Sequence, residues 1–243
     1  AKPLIPPAAG EVSFQARFLE FQDYTQLSSQ ADARGYRLLH WFNSARTELT
    51  FYPNLNSRVD PEKPATAWKH RLLNERDFRR ALSLAIDRQA IIDAVYNGVG
   101  EPAQSAPGPG SPYHNENLFR SHVAYDPDQA NALLDGLGLT QRDREGFRTF
   151  PDGTRMAFFL TTTDAYPPEI PLMATGYWHK IGVRVYRQMH DRTFFETKAF
   201  ASDYEILAWS AYDGFLALVE PRDYVPVFYS SYFAPAYGRW YLY

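Results

Sequence analysis

Asn74-Glu75-Arg76-Asp77-Phe78-Arg79-Arg80-Ala81-Leu82-Ser83-Leu84-Ala85-Ile86-Asp87-Arg88-Gln89-Ala90-Ile91-Ile92 carries the clearest structural signal in the 243-residue chain. Asn74 offers a side-chain cap with Asp77 three residues on. Phe78, Ala81, Leu82, Ala85 and Ile86 then recur at the spacing that lines one face of a helix. The apolar stripe resumes at Ile91, Ile92, Val95 and Tyr96 and meets Gly98, where a left-handed helix end favours glycine. The spacing predicts a helix, or a kinked pair, from near Glu75 to Gly98.

Upstream, Pro61 to Pro64 interrupts the pattern. Leu49 to Tyr52, Tyr36 to Phe42 and the partly alternating Glu11 to Leu19 read as strands, so the opening third looks sheet-forming. Downstream, Pro102, Pro107, Pro109 and Pro112 with Gly100, Gly108 and Gly110 leave a long loop. Asp126 then caps a helix with Pro127 at its first position, Ala130, Leu133, Leu134 and Leu137 on one face, and Gly138 at its end. Pro151-Asp152-Gly153 lies between two apolar runs and reads as a hairpin turn. Glu169 to Lys180 and Thr193 to Phe200 read as helices, Val183 to Met189 and Tyr204 to Trp209 as strands. This alternation predicts an α/β fold with helices laid on a sheet, residues 1–243 forming one lobe.

A content of 45% hydrophobic and 16% aromatic residues supports a sizeable core. Lys plus Arg number 25 against 28 Asp plus Glu, a net charge of -3 without clustered cations, so a nucleic-acid partner is not expected. The absence of cysteine removes disulfides, thiolate metal sites and cysteine nucleophiles. No apolar run approaches the roughly 20 residues of a membrane-spanning helix. The opening at Ala1 and the closing aromatic run Gly238 to Tyr243 read as those of a fragment of a longer protein.

Motifs for catalysis are sparse. Gly98-Val99-Gly100-Glu101-Pro102-Ala103 has the letters of a dinucleotide fingerprint, but a helix precedes it and prolines follow. The six histidines are scattered without metal-site spacing, and no serine sits in a Gly-x-Ser-x-Gly elbow. Neither a cofactor nor a metal is expected. Asp203 and Glu205 would share one face of a strand and keep open the alternative of a glycoside hydrolase, or of a carbohydrate-binding domain. Trp209-Ser210-Ala211-Tyr212-Asp213-Gly214 is different in kind. It follows an apolar strand, where a ligand cleft at a sheet edge would lie, and joins two amphipathic rings to a carboxylate. Trp209, Tyr212 and Asp213 are the candidate ligand-binding residues, with stacking and charge contacts open to a cationic group. No catalytic residue is assigned.

The Asn74 to Ile92 run, followed by Gly98 and Pro102, resembles the signature helix of the oligopeptide, dipeptide and nickel-type solute-binding proteins of ABC transporters. Tyr125-Asp126-Pro127 with Ala130 and Leu133-Leu134, then Pro151-Asp152-Gly153, then Trp178-His179-Lys180-Ile181-Gly182-Val183 follow in that family's order. The resemblance implies a periplasmic-binding-protein-like lobe with a mixed sheet flanked by helices. It further implies a two-lobed, non-enzymatic protein that closes on its solute and delivers it to permease subunits. Such a protein is periplasmic or tethered outside the membrane, with lipid anchoring of the full-length protein left open. In peptide-binding members an acidic residue shortly after the cleft tryptophan receives the ligand's amino group. Here Tyr212 and Asp213 follow Trp209, and the carboxylate stands one place later.

Overall fold

A computed structural model describes residues 13–16, 19, 21–40, 47–211 and 217–243. The signature run folds as the kinked pair, α3 (Arg76–Leu84) and α4 (Arg88–Tyr96). The kink falls at Asp87, whose carboxylate accepts from Ala90 N at 3.0 Å and so starts a new helix. At the far end Asn97 and Gly98 both take positive φ, 51° and 78°.

Four strands form one mixed sheet in the order β1-β4-β2-β3: β1 (Thr47–Pro53), β2 (Ala157–Thr163), β3 (Arg184–His190) and β4 (Ile206–Ala211). β2 runs parallel to both β3 and β4, and β1 closes one edge antiparallel to β4. The chain leaves β2 through α7 (Glu169–Lys180) to reach β3, then returns across β2 through α8 (Arg192–Ala201) to reach β4. Two crossovers of the usual right hand in opposite directions put their helices on opposite faces. Accordingly Ile170, Ala174 and Trp178 of α7 join Phe78, Leu134, Phe158, Leu160, Ile206 and Ala208 in the main core. Phe195 and Ala199 of α8 meet Tyr52, Leu207 and Ala211 in a second core behind the sheet.

α6 (Pro127–Gly136) has the expected Asp126 cap, which accepts from Gln129 N at 2.8 Å, and packs against α3. The Pro151-Asp152-Gly153 turn is narrower than a hairpin. One bridge, Thr149 to Arg155, spans it before the chain enters β2.

The opening third departs from the sequence reading except at Leu49 to Tyr52, which lie in β1 as expected. α1 (Tyr24–Arg34) is a helix, and the described residues among 11–19 and 36–40 form no strand; 41 and 42 lie outside the described residues. α1 buries only Leu27, so it lacks the apolar stripe that marks a helix. α2 (Ala65–Asn74) starts directly after Pro64, and Asn74 is its last residue, not the cap of α3. The Asn74 amide donates to the carbonyls of His70 and Leu55, tying α2 to the loop after β1. α5 (Glu116–Phe119) is a single turn, and α9 (Pro235–Leu242) closes the chain with Trp240 80% exposed.

Candidate ligand crevice

In sheets of this kind ligands lie outside the carboxyl ends of parallel strands, where successive connections leave toward opposite faces. β2 and β3 satisfy that condition, because α7 and α8 follow them onto opposite faces. Three segments meet there: Thr163 to Pro168 after β2, His190 to Arg192 after β3, and Trp209 to Ala211 at the end of β4.

Trp209 is half-buried at the centre. Phe195 stacks on its ring at 5.1 Å between centroids, Tyr166 meets it edge-on at 5.1 Å, and the Arg192 guanidinium carbon stands 5.5 Å from the ring. Tyr166 is fixed in turn by its hydroxyl, which donates to Ser210 Oγ at 2.8 Å. Asp191 caps α8 by accepting from Phe194 N at 3.1 Å, which sets Arg192 at the first helical position beside the tryptophan. Arg192 Nε donates to Glu196 Oε1 at 2.9 Å, and that bond raises the arginine pKa. At the end of β3, Nε2 of His190 is shut off from solvent and meets no partner among the described residues.

The floor below is polar. Tyr52 donates to Asp223 Oδ1 at 3.1 Å, Tyr204 donates to the Tyr232 carbonyl, and Tyr52 and Tyr232 meet edge-on at 5.6 Å. Burial pushes the Tyr232 hydroxyl up to about 12 and raises Tyr52 and Tyr204 as well, so all three stay neutral donors near neutral pH.

A cavity of about 930 Å³ opens elsewhere, between β1, α3, α4 and the loop 99–110. Ile206 and Trp178 line it, and Ile206 faces away from Trp209 by strand alternation. Arg88, at its wall, donates to the Ser83, Ile86 and Val123 carbonyls and to Ser83 Oγ, and burial lowers its pKa to about 10. Its Nη groups hold the kink, whereas Trp209 stands at the carboxyl ends of the parallel strands, where ligands of such sheets lie.

The family model described as bacterial extracellular solute-binding proteins, family 5 middle, matches residues 9–231. The chain belongs to this family. Among family 5 relatives, the chain is 26% identical over 151 residues to di/tripeptide-binding protein 1 of Pseudomonas aeruginosa (strain UCBPP-PA14), covering 60% of this chain and 26% of that protein. It is 28% identical over 139 residues to the periplasmic alpha-galactoside-binding protein of Rhizobium meliloti (strain 1021), covering 54% of this chain and 20% of that one. The solved oligopeptide-binding protein OppA superposes with a TM-score of 0.72 at 30% identity, covering 89% of this chain and 34% of its own. The chain thus spans 26% or less of the length of these two curated relatives. The α/β reading and the family resemblance both hold.

Of the candidate ligand-binding residues of this family 5 chain, Trp209 stands in the crevice, while Tyr212 and Asp213 lie outside the described residues. The carboxylates that left a glycoside hydrolase open do not converge on one strand face. Asp203 precedes β4 and pairs with Lys198 at 2.6 Å. Glu205 is held by Lys69 at 2.6 Å and accepts from Phe159 N at 2.8 Å, which extends the β2–β4 ladder by one bond. Tyr166, His190 and Arg192 were not singled out from sequence. Their signal is positional, since each follows the end of a parallel strand or forms it.

Proposed function

We propose that this chain, residues 1–243, is one lobe of a two-lobed extracytoplasmic binding protein that captures a solute for ABC transporter permease subunits and catalyses nothing itself. The observation that carries this reading is the crevice itself. An aromatic platform, Trp209 with Tyr166 and Phe195, stands at the carboxyl ends of parallel strands in a family 5 fold, with polar groups aimed around it. Trp209 supplies contact surface, and Tyr212 and Asp213, three and four residues on in the sequence, are the further ligand contacts of this reading. The solute is a peptide or similar small polar molecule, as the names of the di/tripeptide-binding relative and of OppA suggest. Closure of a second lobe buries the solute, so half a cleft binds weakly by itself. The protein works in the periplasm or on the outer side of the membrane; among the described residues no helix is long and apolar enough to cross a bilayer.

A thermal-shift screen of the complete protein against di- to hexapeptides, oligosaccharides and nickel chelates tests this. A ligand-dependent rise in Tm that Trp209→Ala abolishes is expected with peptides. A rise that survives Trp209→Ala would move the site away from the crevice, and no rise with any solute would remove the support for capture.

A further inference from the structure

We infer that Arg192 reads an anionic group of the captured solute, a carboxylate, at the rim of the Trp209 crevice; this rests on the solute-capture reading above. The argument begins with the donors. A guanidinium has five N–H groups, and of these only Nε is committed, to Glu196. Among the described residues nothing accepts from the two Nη groups, although the Arg192 side chain sits 60% exposed with Cζ held 5.5 Å from the Trp209 ring. The end of the fork is therefore both positioned and open. Two parallel N–H donors in one plane match the two oxygens of a carboxylate.

Placement sharpens the point. Arg192 occupies the first position of α8, where the helix's own partial positive charge disfavours a cation. Glu196, a turn along, offsets this only in part. A side chain that breaks the local electrostatic rule beside an aromatic platform marks a functional site. The cation beside Trp209 is also the protein's own, so a ligand ammonium approaching that side of the ring would meet like charge. His190 Nε2, buried without a partner at the neighbouring strand end, adds a polar atom that a bound group or its water could satisfy.

The test compares, on the complete protein, peptides of two to six residues supplied as free acids and as C-terminal amides, and oligosaccharides ending in a uronate or a neutral sugar. Titration calorimetry with wild type, Arg192→Gln and Arg192→Lys reads the affinities. Wild type is expected to prefer the carboxylate-bearing member of a pair by roughly tenfold to a hundredfold, the range of one desolvated charge-assisted pair. Arg192→Gln should erase that preference. Arg192→Lys should keep part of it, since it retains the charge but loses the fork. Solutes that bind equally with and without the carboxylate, or a preference untouched in Arg192→Gln, would overturn the inference and leave solute capture standing. Binding of no solute at all would overturn both.

Discussion

The two ends of the parallel strands use the same residue type in opposite ways. At the entry end Arg148 and Arg184 keep side chains only 1% and 3% exposed. Arg148 is divided among the Asp135 carboxylate, the Asn131 amide oxygen and the carbonyls of Leu139 and Ile181. Arg184 reaches Asp143 and Glu145, both at 2.9 Å, with its guanidinium 4.2 Å from the Phe147 ring. At the exit end Arg192 has one carboxylate and an open fork. A guanidinium buried among its acceptors, as Arg148 and Arg184 are, holds loops together. One whose donors face a crevice is available to a ligand. What separates the two is burial among partners against exposure beside the crevice, which residue type alone does not reveal.

The contrast breaks most visibly at Arg148. Arg148→Ala removes a buried charge that serves four acceptors and leaves the Ile181 and Leu139 carbonyls without their donor. A loss of about 3–5 kcal/mol in urea denaturation of the complete protein is expected. Asp135, half exposed, can recover water, so a loss below about 1 kcal/mol would mean the loop rehydrates and the staple is dispensable. Next in size is an alkaline effect on the floor of the crevice. The Tyr232 hydroxyl is pushed up to about 12, so the folded state holds that proton more tightly than the unfolded chain, whose tyrosine titrates near 10. Stability from this group is complete below about pH 10 and is lost as pH rises through about 12, on the order of 2 kcal/mol. Absorbance of tyrosinate against pH should show this phase only on unfolding. Gly182→Ala then probes the staple by crowding. Its φ is +82°, and a Cβ there would lie 2.2 Å from Arg142 Nη1 and 3.0 Å from Arg148 Cγ. The Arg142 end can swing aside, so the backbone strain and the Arg148 stem set the cost, about 1–2 kcal/mol by the same denaturation.

Legibility in the sequence follows the same division between local and distant partners. α3, α4, α6 and α7 are readable because their apolar stripes are local, and in α6 cap and stop are local too: Asp126, Pro127 and Gly138 mark it within one short stretch. β2 to β4 were readable because their apolar runs alternate with helices. α1 was not, since a helix that buries only Leu27 has no stripe to show. α2 is hidden because prolines before Ala65 signal a break in any regular element, although Pro64 also opens the helix. Trp209 was legible as the aromatic end of an apolar strand. Arg192 and Tyr166 were not, because only the return of the chain across β2 brings the starts of α7 and α8 beside β4. Contacts made by a crossover leave no spacing in the sequence.

Stability of Arg192→Gln gives the smallest effect and the sharpest test of the comparison. The pair with Glu196 joins residues four apart on one helix, and both side chains are well exposed, so solvent and salt screen it to a few tenths of a kcal/mol. Removing a cation from a helix N-terminus returns a similar amount with opposite sign. The stacking of Phe195 on Trp209 does not depend on the guanidinium and should persist. Denaturation midpoints for wild type and Arg192→Gln are therefore expected to agree within about 0.5 kcal/mol, an order of magnitude below Arg148→Ala. A loss above roughly 1.5 kcal/mol would place Arg192 with the buried arginines that hold the fold, because an exposed single pair cannot supply that much. Agreement would leave the guanidinium beside Trp209 as a charge whose position the fold sets without depending on it.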